Sequence, residues 1–193
     1  MINSRDELRR YILQDSKACK RKTVKPRLFG DDIWKFQLSL RKAEYYYRAS
    51  RTKWESLLET PARCWAAFAF HHWSVKLGFS IPMNTFQEGL SIAHYGCLVV
   101  NGKARIGRNC RIQEGVNIGA TNGTSDSPVI GNNVFIGTGA KIIGGIRIAD
   151  NVAIGANAVV IRDIDEPGTT WAGVPAKKVS NNSSKAYISP LVW

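Results

Sequence analysis

The chain has 193 residues, 44% hydrophobic and 22% charged, which excludes wholesale disorder and fits one domain with a modest extension. It contains no run of about 18 uncharged apolar residues, which argues against a membrane span. Its charged opening, MINSRDELRR, predicts no export signal. Lys and Arg number 27 against 15 Asp and Glu, giving a net +12, so the composition invites a polyanionic partner such as nucleic acid or a membrane surface.

Residues 1–60 carry 15 basic and 8 acidic side chains, so the excess charge is concentrated in the N-terminal third. Cys19, Cys64, Cys97 and Cys110 lie far apart with no CxxC pair, which argues against a zinc ribbon or disulfide framework. A cytoplasmic protein with free thiols is the expectation.

Residues 1–80 read as a helical N-terminal region. Ser4 and Glu7 have capping-box spacing ahead of a short stripe of Leu8, Tyr11 and Ile12. The basic connector KACKRKTVKPR (17–27) follows, and then Asp31 or Asp32 is placed to cap a second helix. That helix repeats Ile33, Phe36, Leu40, Ala43 and Tyr47 along one face. Thr60-Pro61 predicts the start of a third helix, rich in aromatic residues, and Gly78 its stop.

Residues 81–175 follow a different period. Ile106, Ile112, Ile118, Ile130, Ile136, Ile142, Ile148, Ile154 and Val160 fall on a six-residue grid, with glycine directly after five of them. A second grid two places earlier holds Ala104, Cys110, Val116, Val134, Ala140, Ile146, Val152 and Ala158. Period six fits neither a helix nor a hairpin array. It fits a solenoid of flat hexads, three to a triangular coil, with the aliphatic inward and the following glycine turning the chain. The grid skips once, at GATNGTSDSPV (119–129), which predicts a polar loop pushed out to help build a site. Residues 176–193 form a C-terminal tail.

The hexads and the ending WAGVPAKKV (171–179) resemble the hexapeptide-repeat acyltransferases. IAHYG (92–96), IGTGAKIIG (136–144), IGANAVV (154–160) and AGVPAK (172–177) are most similar to the serine acetyltransferase branch and to related capsule and exopolysaccharide O-acetyltransferases. The resemblance implies a mainly β protein, a left-handed parallel β-helix behind a helical region. It also implies a homotrimer, and acetyl-CoA held between neighbouring coils of adjacent subunits.

His94 matches the family's catalytic histidine. Projected backwards, the grid places Val100, His94 and Glu88 at inward positions, so His94 either marks the edge of the coils or points into a site. The chemistry agrees, because an alcohol attacks a thioester only if a neutral imidazole takes its proton as attack develops. Matching motifs imply Thr138 and Ala156 as contacts along the pantetheine arm, with Ile161, Arg162 and Lys177 towards the nucleotide phosphates. Asn84, Glu88 and Asp126 are the candidates for orienting His94 or binding the acceptor.

Three departures from the serine branch set the expected acceptor. Ala93 stands where an acidic residue precedes the histidine, and Asp126-Ser127 stand where the branch has Arg-His. Phe79-Ser80-Ile81 occupies the place of a further carboxylate. These groups orient a free amino acid, so the expectation is acetylation of a sugar or glycan-precursor hydroxyl. Acetylation of L-serine for cysteine biosynthesis is the alternative.

The rival readings are weaker. His71 and His72 sit together on a helix, away from His94, which argues against a zinc site. No nucleic-acid recognition motif accompanies the charge; Tyr45–Tyr47 beside Arg48 and Arg51 are better used in packing. A purely structural solenoid is the other non-enzymatic reading. The expected N-terminal partner is the anionic inner face of a membrane, touched peripherally.

Overall fold

The computed structural model describes residues 1–193 apart from 49–51, 53, 55–57 and 122–125, so Arg51 and the centre of the polar loop lie outside the described residues. The hexads form a left-handed β-helix of three parallel sheets. On one face Val100, Ile118, Ile142 and Val160 stack in register. On the second Ile106, Ile130 and Ile148 stack, and on the third Ile92, Ile112, Ile136 and Ile154. All of these side chains are buried, each contributing about 1.5–3 kcal/mol relative to exposure. The second grid is buried too, from Ala104 to Ala158.

The skip in the grid is one additional hexad. Ile130 pairs with Ile148, 18 residues on, whereas Ile106 pairs with Ile130, 24 residues on. The additional residues lie between the strands Asn117–Gly119 and Val129–Ile130. Both ends of this loop rest on a glycine pair: a Cβ on Gly144 would lie 3.1 Å from Thr121 Oγ1, and one on Gly145 2.6 Å from Asp126 Cβ.

The turning residues differ from expectation. Glycine directly after an aliphatic does not supply the corner's left-handed φ; it lets the next coil approach. A Cβ at Gly137 would lie 2.8 Å from the Ala156 nitrogen. The left-handed residue comes two places later, at Asn109, Asn133, Asn151, Asn157, Gly115 and Gly139. Asparagine tolerates that conformation. At one corner it also forms a ladder, Asn109 Nδ2 donating to Asn133 Oδ1 and Asn133 Nδ2 to Asn151 Oδ1, both at 2.9 Å.

The N-terminal region contributes α1 (Arg5–Ala18), α2 (Asp32–Tyr46) and α3 (Thr60–Leu77). Ser4 caps α1, its hydroxyl accepting from the Glu7 amide, while the Glu7 carboxylate reaches back to Asn3 N. Neither Asp31 nor Asp32 caps α2 through its side chain. Asp31 instead turns its carboxylate to Arg21 and Arg27, at 2.7 and 2.9 Å, and pins the connector. Glu59, without a side-chain cap bond, precedes α3, and Gly78 ends it with φ 74°.

The helices close the open end of the first coil. Arg41 donates to the carbonyls of Phe86 and Gln87, and Asp15 accepts from the amides of Gly89 and Leu90. Gln37 Nε2 donates to the Leu90 carbonyl, and Glu44 accepts from the Asn84 amide. A parallel β-helix leaves such groups unpaired at its end, where burial without partners would be costly.

The C-terminal segment covers the opposite end and then returns to the first coil. Strands Thr170–Gly173 and Ala176–Ser180 form an antiparallel hairpin on the third face. The following chain returns along the asparagine corner, stacks Tyr187 on Phe135, and donates from Ser189 Oγ to the Lys17 carbonyl. Much of the N-terminal positive charge is used internally: Arg9, Arg10, Arg21, Arg27, Lys35, Arg41 and Arg48 each meet a carboxylate. Among the described residues no helix is long and apolar enough to cross a membrane.

Candidate active site

The corner between the third and first faces departs from the grid at His94. Ile92 pairs with Ile112 and Val100 with Ile118, so eight residue steps in the first coil match six in the second. The backward projection of the grid is therefore corrected. The inward positions are Leu90, Ile92, Leu98 and Val100, while His94 and Tyr95 stand out in a two-residue bulge. The extra length raises His94 off the packed surface instead of pointing it into the core.

Three further layers lie under this bulge, in the order Gln113-Glu114-Gly115, Gly137-Thr138-Gly139 and Gly155-Ala156-Asn157. Gly96 settles the bulge on the first of them: a Cβ there would lie 3.3 Å from Glu114 Cβ, and its φ of 136° suits glycine. The amide and hydroxyl of Thr138 both donate to Gln113 Oε1, at 3.1 and 2.9 Å. Ala156 is exposed one coil further on. The corner is thus a column headed by His94, with Glu114, Thr138 and Ala156 following one to a layer.

The other candidates stand elsewhere in the subunit. Glu88 sits at the asparagine corner, held by Arg10 at 2.9 Å. Asn84 lies at the third corner with φ 63°, its amide bound by Glu44 at 2.8 Å. Asp126 ends the polar loop against Gly145, and the neighbouring Ser127 hydroxyl donates to Asn101 Oδ1 at 3.0 Å. Within one subunit the structure does not bring Asn84, Glu88 or Asp126 to the bulge.

Ile161, Arg162 and Lys177 do come together. They line one cleft of 510 Å³ between the last coil and the terminal hairpin. Lys178, next in sequence, is bound by Glu166. Beside the bulge on its other flank, a 560 Å³ cavity is lined by Tyr95 with Arg21, Asp31, Asp32 and Lys76. The Lys76 ammonium, 2.9 Å away, holds the Asp32 carboxyl below the usual range. Cys110, by contrast, is core, and burial pushes its thiol up to about 12. No group of metal-ligating side chains occurs among the described residues.

Glu114 is a carboxylate beside the bulge that sequence reasoning did not single out. Its Oε2 is shielded from solvent and has no hydrogen-bond partner among the described residues. The available signal was its place in the hexad, two residues after an inward isoleucine, where the following coils carry Thr138 and Ala156.

Residues 127–162 match the family model described as bacterial transferase hexapeptide (six repeats). The serine acetyltransferase of Synechococcus elongatus is 38% identical over 112 residues, 57% of this chain and 45% of the relative. That of Mycobacterium tuberculosis is 34% identical over 154 residues, 78% of this chain and 65% of the relative. The chain therefore spans about half to two thirds of the length of these relatives. Among solved structures, Neisseria gonorrhoeae serine acetyltransferase superposes with a TM-score of 0.67 at 28% identity, over 92% of this chain and 68% of that one. The Brucella abortus enzyme in complex with coenzyme A gives 0.64 at 25%, over 92% and 68%. These similarities correct the expected acceptor: they favour the L-serine alternative over a sugar or glycan hydroxyl.

Proposed function

We propose that this chain, built on the hexapeptide transferase repeat, is an acetyl-CoA-dependent acyltransferase that acetylates the hydroxyl of L-serine. The observation that carries the reading is the bulge presenting His94 at the head of the Thr138–Ala156 column. It occurs in a chain similar to serine acetyltransferases over most of its length.

In this reading the neutral imidazole of His94 takes the serine hydroxyl proton while the oxygen attacks the thioester carbonyl. A C–O bond forms and the carbonyl oxygen becomes an oxyanion, which fixed amide donors stabilise. The oxyanion collapses, the C–S bond breaks, and the leaving coenzyme A thiolate recovers the proton from the imidazolium. Transfer is direct, in a ternary complex. Thr138 and Ala156 follow the pantetheine arm, and Ile161, Arg162 and Lys177 hold the nucleotide end.

The protein acts as a homotrimer in this reading, with each site between two subunits. Asp126, which follows the polar loop, is then the group assigned to a neighbour's His94 from the acceptor side. Peripheral contact with an anionic membrane is assigned to the connector, where exposed Lys20, Lys22 and Lys25 accompany Leu28 and Phe29, 84% and 86% exposed.

The test is release of thiol from acetyl-CoA with L-serine as acceptor. Serine-dependent release is expected, with kcat falling on the order of 10²- to 10⁴-fold in His94→Ala. Release that ignores serine, or survives the loss of His94, overturns the reading.

A further inference from the structure

We propose that Glu114 is the positioning residue for His94: its carboxylate accepts one imidazole N–H from beneath the bulge and so aims the other nitrogen at the acceptor. The inference rests on the reading of His94 as the base.

The geometry begins at Gly96, two residues past His94, whose Cβ position falls 3.3 Å from Glu114 Cβ and 3.9 Å from its Cγ. The Glu114 side chain therefore leaves its own coil under the bulge rather than into solvent. There Oε2 is shielded and unpaired among the described residues. A buried carboxylate oxygen without a donor is unfavourable, so this atom calls for one.

The donors around it are largely spent. Both Thr138 donors go to Gln113, the Gly115 amide goes to Cys97 O, and the Gly139 amide goes to the backbone carbonyl of Glu114. The Lys141 ammonium is held by Gly115 O. What remains is the bulge itself, where His94 is exposed. An imidazole with one N–H held by a carboxylate is fixed in tautomer and orientation, which is what a general base requires.

The placement is particular to this coil. The equivalent corner positions below carry Thr138 and Ala156, so a carboxylate stands only in the layer directly under His94. Tyr95 and Cys97 share the bulge with His94. Across the neighbouring cavity Arg21 is paired with Asp31, and Lys76 with Asp32. Among the described residues, Glu114 is thus the carboxylate of this corner left to take the imidazole.

The experiment compares full-length wild type with Glu114→Ala, a change the fold should accept because Ala156 occupies the equivalent corner. Nitrogen-15 NMR of the imidazoles, with His94→Ala assigning the His94 signals among the three histidines, reads the tautomer. Wild type is expected to hold a single His94 tautomer and Glu114→Ala a mixture, with Glu114→Asp restoring the single form at least in part. In parallel, kcat should fall roughly 10- to 100-fold in Glu114→Ala, with KM for acetyl-CoA unchanged.

An unchanged His94 tautomer overturns the proposal. So does a rise confined to KM for serine, which would assign Glu114 to the acceptor's ammonium group. The NMR result stands apart from turnover. A chain inactive with serine but showing the tautomer change refutes the proposed function and leaves this inference intact.

Discussion

Arg41 on α2 and Asp15 on α1 meet where neither side chain reaches solvent, Nε to Oδ2 at 2.8 Å and Nη2 to Oδ1 at 3.3 Å. Both residues also bind the backbone of the first coil, one through its carbonyls and the other through its amides. Burial opposes both charges. It pushes the Asp15 carboxyl up against the pull of Arg41, while Asp15 and Glu44 hold the guanidinium charged. The pair is therefore a joint, matching helices of one period to a sheet end of another.

Breaking that joint should be costly. Arg41→Met leaves Asp15 and Glu44 buried without their cation and frees two coil carbonyls. The expected loss is about 3–5 kcal/mol, as for other buried pairs deprived of one partner. In a chain of this size that lowers Tm by roughly 10 °C. Thermal unfolding followed by circular dichroism measures it, and a drop of only a degree or two would show that the cap carries little of the stability.

Asp31 provides a pH-dependent counterpart. Hydrogen bonds from Arg21 and Arg27 hold its carboxyl far below the ordinary value of 3.8. Its folded-state pKa is therefore depressed relative to the unfolded chain. The stability it contributes is complete above the unfolded value and is lost as pH falls from about 5 into the acid range. Asp31→Asn should consequently be less stable than wild type near neutrality, with the gap narrowing progressively as pH falls below about 5. Urea unfolding across that range tests the sign: a gap that stays constant with pH would mean that Asp31 acts by shape alone.

The fold was legible because its repeat is dense. One Ile every six residues needs a flat three-sided coil, and each grid position from Ile106 to Val160 is buried as expected. What the repeat hides is where it is interrupted. The bulge at His94 adds two residues between Ile92 and Val100, and backward projection cannot see an insertion it does not allow for. Long-range partners are hidden as well. Nothing local pairs Glu88 with Arg10 or Asn84 with Glu44, since those contacts depend on how α1 and α2 dock. Glu114 escaped notice because a carboxylate at a corner reads as solvated until the layer above covers it. The +12 charge conceals its own distribution, because several of the N-terminal cations are committed to carboxylates inside the same chain.

The cleft at the other end of the column leads to a prediction about the donor. Arg162 and Lys177 face a common space with Ile161, and both are exposed, so their charges are screened and each contact with a phosphate is worth only a modest amount. Replacing either by Ala should raise KM for acetyl-CoA roughly fivefold, and replacing both should raise it more, while kcat and KM for serine stay close to wild type. Charge, rather than shape, is the operative property if added salt raises the wild-type KM and leaves the double variant nearly insensitive. Thiol-release kinetics at two ionic strengths make the measurement. Should kcat fall with KM unchanged, the two cations would belong to the transition state instead of to the nucleotide end, and the assignment of the cleft would have to be abandoned.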